Sequence, residues 1–190
     1  GQTYDSGQFE KILDQGLALA DWNGFAARRA ESKARGLLRG RGIASFLEWT
    51  GGNALEEKVS VDITPDGIIE IFSATQAMGQ GIATSYAQLA VDVFGVPIEK
   101  VRIVQGDTDR GNGFGSAGSR SLFTGGSAVR VASERTIDHA KALAGEALEA
   151  AAGDIEYRAG RFAVVGTDVG IDLFALAGKQ PGQRIHLEAS

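Results

Sequence analysis

Gly118-Ser119-Arg120-Ser121 gathers two hydroxyls, a guanidinium and an unhindered backbone within four residues, just ahead of a long Ala-rich stretch with helical spacing. The first turn of a helix leaves its N–H groups without intrahelical partners, so such a junction can hold an anion, and charge-assisted bonds to phosphate are the strong kind. A second break, Met78-Gly79-Gln80-Gly81, also falls where a strand pattern gives way to a helical one. The Gln80 amide can offer a donor and an acceptor to the edge of a heterocycle, and Gly79 and Gly81 remove side-chain bulk beside it. The chemistry these two stretches suggest is the binding of a phosphate-bearing cofactor.

Other groups carry less. Gly113-x-Gly115-x-x-Gly118 matches a dinucleotide fingerprint as a string, but its first glycine lies well past the preceding strand pattern. The acidic residue expected ~20 positions on would fall inside the long helix, so a Rossmann site does not follow. Asp107 and Asp109 could ligate a divalent cation, yet aspartates in a Gly-rich loop more commonly cap turns. His139 and His186 have no sequence-near Asp or Ser that would suggest a triad and read as surface residues. The absence of cysteine excludes disulfides, thiolate metal sites and cysteine nucleophiles from these residues.

The elements that must position the two breaks follow from periodicity. Val59, Val61 and Ile63 alternate, then Pro65-Asp66-Gly67 turns the chain into Ile69 and Ile71, which predicts a hairpin. Ile82, Tyr86, Leu89 and Val93 share a helix face that stops at Gly95 and Pro97. Lys100 to Gln105 reads as a returning strand, and Gly106 to Ser121 as a loop with five glycines in sixteen residues. A long helix is expected over about 122–150, with a stripe through Val129, Ala132, Thr136, Ala140, Leu143 and Ala147. Residues 155–165 suggest a last hairpin, 171–177 a short helix, and the tail 179–190 shows little pattern. GIASFLEWT, from Gly42, reads as a buried strand. Residues 1–41 have a different texture: two helices, capped by Asp5 or Ser6 and by Asn23, and six basic residues between Arg28 and Arg41 facing Glu31 alone. They read as a helical connecting arm with a solvated face that suits an acidic partner surface, ahead of a lobe over 42–178. The fold class expected is α+β, a mixed sheet with packed helices.

A chain of 190 residues, 43% hydrophobic, is long enough to bury a core. Its net charge of −5 gives no general attraction to nucleic acid or anionic lipid. No run approaches the ~18 apolar residues of a membrane span. The opening GQTYDSGQFEK, without an initiator Met, reads as sequence from within a longer protein.

MGQG before a helix, then PIEKVRIVQGDTD, then a Gly-rich loop ending in GSRS ahead of a long Ala/Gly-rich helix, resembles the molybdopterin-binding large subunit of the xanthine dehydrogenase, aldehyde oxidase and carbon monoxide dehydrogenase family. The opening, YDSGQFEKILDQGLALADWNGFAARRAE, is similar to the arm entering the second molybdopterin-binding lobe there. The resemblance covers residues 4–178. It implies one lobe of a molybdenum cofactor-binding domain, in a parent enzyme that hydroxylates an aldehyde or N-heterocycle with oxygen from water. Gly79, Gln80 and Gly81 would lie near the pterin, and Gly118, Ser119, Arg120 and Ser121 near the phosphate or the dinucleotide, the cytosine form being expected. Iron–sulfur clusters and FAD would sit on partner subunits or domains, the remaining lobes of the large subunit would complete the site, and the enzyme would be cytoplasmic. Two family motifs, GGGFGxK and the G-x-G-E that carries the catalytic glutamate, are absent from 1–190, so no catalytic residue is assigned and the chain by itself is expected to be inactive. Carbon monoxide is the least supported substrate, since the family ties it to a cysteine-bearing loop. The competing reading is a non-catalytic nucleotide-binding or interaction module.

Overall fold

The computed structural model describes residues 3–48 and 55–190. The chain divides into two units, Gly1–Leu47 and Glu48–Ser190.

In the first unit, α1 (Phe9–Leu19) and α2 (Phe25–Ala34) match the two expected helices, but neither uses a side-chain cap: Gln8 and Gly24 hold the N-cap positions rather than Asp5, Ser6 or Asn23. No residue of α1 is buried. Three of the basic residues act within the unit, Arg35 through an exposed pair with Glu31 at 3.7 Å. Arg28 pairs with Asp21, and the Arg41 guanidinium lies over the Trp22 ring at 3.9 Å and the Phe25 ring at 4.5 Å. The expected strand at GIASFLEWT does not form over 42–48, which is exposed and irregular, and Trp49 and Thr50 lie outside the described residues. An apolar run without alternation does not by itself distinguish a strand from a linker.

The second unit is built on the expected hairpin. β1 (Val59–Ile63) and β2 (Ile69–Ser73) pair antiparallel with Val61 opposite Ile71, around a turn in which Gly67 takes φ +89°. α3 (Ile82–Phe94) then crosses over to β3 (Val101–Val104), which lies parallel to β2. Gly95 ends α3 in the left-handed conformation, its N–H donating to Val91 O at 2.8 Å. α4 (Ser127–Leu148) starts later than expected, because Ser121–Gly126 forms a π-helical turn first. β4 (Ile155–Arg158), β5 (Arg161–Val164) and β6 (Gly170–Asp172) make a small antiparallel sheet. Asp172 caps α5 (Leu173–Gly178), accepting from the N–H groups of Phe174 and Ala175 at 2.8 and 3.2 Å.

The stretch read as a tail contributes β7 (Ile185–Ala189), antiparallel to β1, which gives the main sheet the order β3-β2-β1-β7. The result is the mixed sheet with packed helices that the sequence suggests. Alternation splits the hairpin into two faces. Val59, Val61, Ile63, Ile69 and Ile71 point inward, into the core formed with Tyr86, Ala90 and Phe94 of α3 and Val129, Ala132 and Ala140 of α4. The small residues of α4 let it sit close to β1, β7 and α3. Asp62, Glu70 and Phe72 take the opposite face, and that face receives the second glycine-rich loop.

Candidate functional site

β2 delivers the first loop. After Ser73 the chain runs through Ala74–Met78, and Gly79 and Gly81 both take positive φ, +93° and +78°, with Gly81 as the N-cap of α3. L-residues adopt this conformation at a cost, which is the physical reason for glycine on either side of Gln80. The Gln80 side chain folds back on its own loop. Its Oε1 accepts from the Met78 N–H, and its Nε2 donates to Gln76 O at 3.1 Å. The amide therefore shapes the loop, and one of its two Nε2 hydrogens is used in doing so.

The second loop is laid along the outer face of β2, on every second residue. Arg110 pairs with Glu70 and reaches Asp62 at 3.6 Å. Gly111 sits over the Phe72 ring, and a Cβ at Gly113 would come within 2.5 Å of Ala74 Cβ. Gly111 and Gly113 thus serve close approach to a strand, and the fingerprint-like string here is a packing feature. Farther on, Ser116 joins the loops. Its Oγ accepts from the Gln76 N–H at 2.9 Å, donates to Gln76 O at 3.0 Å, and accepts from Ser121 Oγ at 2.8 Å. Asp107 caps a turn by accepting from the Asp109 N–H at 3.1 Å, and the described residues hold no cluster of three potential metal ligands.

The two loops close on one cleft of about 400 Å³, lined by Gln80, Ser116, Gly118, Ser119 and Ser121 among others. Gly118 and Ser119 both take positive φ, +55° and +53°, which turns the backbone sharply ahead of the π-helical turn. Six of the seven residues singled out in the sequence thus lie in or beside this cleft. Arg120 is placed differently. Its side chain is fully buried and points away from the cleft. Nη1 donates to Glu57 Oε2 at 2.9 Å and to Gly115 O at 2.7 Å, and Nη2 donates to Leu55 O at 2.9 Å. The guanidinium expected to face a phosphate instead holds the loop from beneath. The reason is a buried partner 63 residues earlier in the chain, Glu57, which no local pattern announces.

Glu57 continues into a line of buried hydroxyls. Its Oε1 is 3.2 Å from Ser73 Oγ, Ser73 Oγ is 2.7 Å from Thr75 Oγ1, and Thr75 Oγ1 is 2.7 Å from Tyr86 Oη. Tyr86 Oη donates to Ser121 O at 2.6 Å. Burial pushes the Tyr86 phenol above its ordinary value, against smaller opposing effects of the Thr75 and Ser73 hydroxyls, so it remains a donor at neutral pH. The π-helical turn brings Gly125 onto this phenol, and a Cβ at Gly125 would run into Tyr86 Oη. No local pattern marks Gln76, Ser116 or Glu57 as site residues, and Tyr86 stands in the sequence only as one of a helix face. For Tyr86 a signal was available: a tyrosine on a core-facing helix stripe needs a hydrogen-bond partner for its hydroxyl.

The cleft offers serine hydroxyls, an amide and glycine turns, with the Glu48 carboxylate and the apolar Met78, Ile82 and Leu122 also on its lining, so the hydroxyls and glycines can take phosphate oxygens and the amide a heterocyclic edge. Residues 15–190 match the Molybdopterin cofactor-binding domain family, and the chain belongs to it. The chain is 32% identical over 175 residues to the 6-hydroxypseudooxynicotine dehydrogenase complex subunit gamma of Paenarthrobacter nicotinovorans, covering 92% of this chain and 22% of that one. It is 33% identical over 186 residues to the carbon monoxide dehydrogenase large chain of Afipia carboxidovorans, covering 87% and 23%. Quinoline 2-oxidoreductase from Pseudomonas putida 86 superposes over the whole chain with a TM-score of 0.62 at 29% identity, across 27% of that structure. Similarity to these proteins establishes a molybdopterin-binding portion of the xanthine dehydrogenase family, and the chain spans less than a quarter of the length of these two sequence relatives.

Proposed function

We propose that this chain forms one wall of the molybdenum cofactor site in the large subunit of a molybdenum hydroxylase. The observation that carries the reading is the meeting of Gln80 with Gly118, Ser119 and Ser121 around one cleft, in a chain that matches the family over residues 15–190. Gly79, Gln80 and Gly81 hold the pterin end, while Gly118, Ser119 and Ser121 hold the phosphate and nucleotide end of a cytosine dinucleotide. Arg120 keeps that second stretch in place from the interior.

When bound, the cofactor supplies the redox chemistry of C–H hydroxylation, and these residues bind and orient it. The substrate class is an aldehyde or N-heterocycle. Similarity to the 6-hydroxypseudooxynicotine dehydrogenase subunit and to quinoline 2-oxidoreductase supports the heterocycle. Iron–sulfur and flavin partners take up the electrons in a cytoplasmic complex, and the remaining lobes of the large subunit complete the site. The 190-residue chain alone has no turnover, because it lacks the family's glutamate motif.

The test is molybdenum and pterin content of the full-length parent purified with its partners. Near-stoichiometric metal and pterin, lost in Gln80→Ala and Ser119→Ala variants that remain folded, is the expected result. A well-folded parent free of both, even when produced with the cofactor maturation machinery, would overturn the reading.

A further inference from the structure

The contacts beneath the cleft close into a ring. Arg120 binds Glu57, Glu57 meets Ser73, Ser73 meets Thr75, Thr75 meets Tyr86, and Tyr86 binds the carbonyl of Ser121, which is covalently joined to Arg120. Glu57, Ser73, Thr75, Tyr86 and Arg120 are all buried. The ring also straddles both loops. Thr75 enters the first loop, Tyr86 follows it on α3, and Arg120 and Ser121 close the second.

Counting hydrogens gives the ring a property its members lack singly. Four oxygen–oxygen contacts run from Glu57 Oε1 to Ser121 O, and three hydroxyl hydrogens, of Ser73, Thr75 and Tyr86, are there to fill them. Ser73 donates to Glu57 Oε1 and Tyr86 donates to Ser121 O, so Thr75 is left with one hydrogen for two contacts, to Ser73 and to Tyr86. If Ser121 moves away, Tyr86 can rotate to donate to Thr75 and Thr75 to Ser73, so that all the remaining contacts down to Glu57 are filled. No bond breaks and no proton changes its oxygen. Each hydroxyl orients its neighbour, so the line switches as a unit.

We propose that Thr75 and Tyr86 are positioning residues that couple the two loops, so that a displacement of the Gly118–Ser121 backbone is transmitted through the buried hydroxyls to the loop carrying Gln80. The proposal rests on the reading above for the ligand that exploits the coupling, but the ring belongs to the chain itself. A ligand that settles Ser121 at one end of the cleft thereby favours one arrangement at the other end, and the cleft recognises both ends of a long cofactor together.

Hydrogen exchange on the 190-residue chain, without cofactor, tests this. Thr75→Val removes the central hydroxyl at nearly constant volume, Tyr86→Phe removes the terminal one, and Thr75→Ser keeps the hydroxyl while removing a methyl. Expected is a rise in exchange of roughly five- to thirty-fold in both segments, 76–81 and 116–122, for Thr75→Val and for Tyr86→Phe, with Thr75→Ser near wild type. A response confined to one loop, no response, or a Thr75→Ser variant as affected as Thr75→Val would overturn the coupling. If Thr75→Val does not fold, Tyr86→Phe decides by the same criterion. Molybdenum and pterin content of the parent is read separately, so a parent without cofactor would sink the functional reading while the exchange data still judge the ring.

Discussion

Arg120 and Glu57 bring a complete ion pair into the interior, where desolvation is expensive and attraction repays it only if the remaining hydrogen-bonding capacity is used. Here Nη1 serves Glu57 and the Gly115 carbonyl, and Nη2 serves Leu55, so the guanidinium also pins the chain on both sides of the pair. Removing one partner leaves an uncompensated buried charge. Arg120→Met is expected to cost about 3–5 kcal/mol, measured as the fall in unfolding free energy by urea titration. The double variant Arg120→Met with Glu57→Leu should recover part of that loss, because neither charge is then stranded, although the Gly115 and Leu55 carbonyls still lose a donor. A single-variant cost of less than ~1 kcal/mol, typical of exposed pairs, would show that the pair is open to water in solution.

Among the elements, β4 and α3 meet through a second, half-buried phenol. Tyr157 packs its ring on Phe162, centroids 4.8 Å apart, and donates its hydroxyl to Phe94 O at 2.7 Å. Burial pushes the Tyr157 phenol up to about 12. Its unfolded value is ~10, so the native state favours the protonated form. That contribution is fully present below pH ~10 and is lost as pH rises through about 12. The urea midpoint of the wild type should therefore fall across this window, and more steeply than that of Tyr157→Phe, which keeps the Tyr86 contribution but not this one; parallel curves would contradict it. The elements also show where sequence reading works. The hairpin, α3, β3 and most of α4 were legible because each carries several turns or alternations of one period. β7 was legible in principle, since Ile185, Leu187 and Ala189 alternate with His186 and Glu188, but five residues at a chain end gave it little weight. The apolar run after Gly42 misled because it has no period. At the site, Gln80 and the two serines were legible from residue type beside glycine, whereas the inward turn of Arg120 depends on Glu57 and the Ser116 clasp depends on Gln76, 40 residues away.

For the whole molecule, the distribution of buried residues decides what each unit needs. Among the described residues, the buried hydrophobic cluster draws its members from 59 to 189, and α1 contributes no buried residue of its own. The second unit should then fold without the first. A chain lacking residues 1–47 is expected to keep its main melting transition within about 3 °C, the shift that ~1 kcal/mol causes in a domain of this size. The opposite end behaves differently. Residues 185–190 supply the strand that covers the free side of β1, along with the buried Ile185 and Ala189. Deleting them removes a ladder of backbone hydrogen bonds and ~1.5–3 kcal/mol for Ile185 alone, and it opens β1 to water at an unpaired edge. Calorimetry on the two truncations should give a sharp transition for the first and a strongly lowered or absent one for the second. If the 1–47 deletion instead abolished the transition, the basic, amphipathic arm would be part of the folding unit, and the cofactor-binding wall could not be assigned to residues 48–190 as a body in its own right.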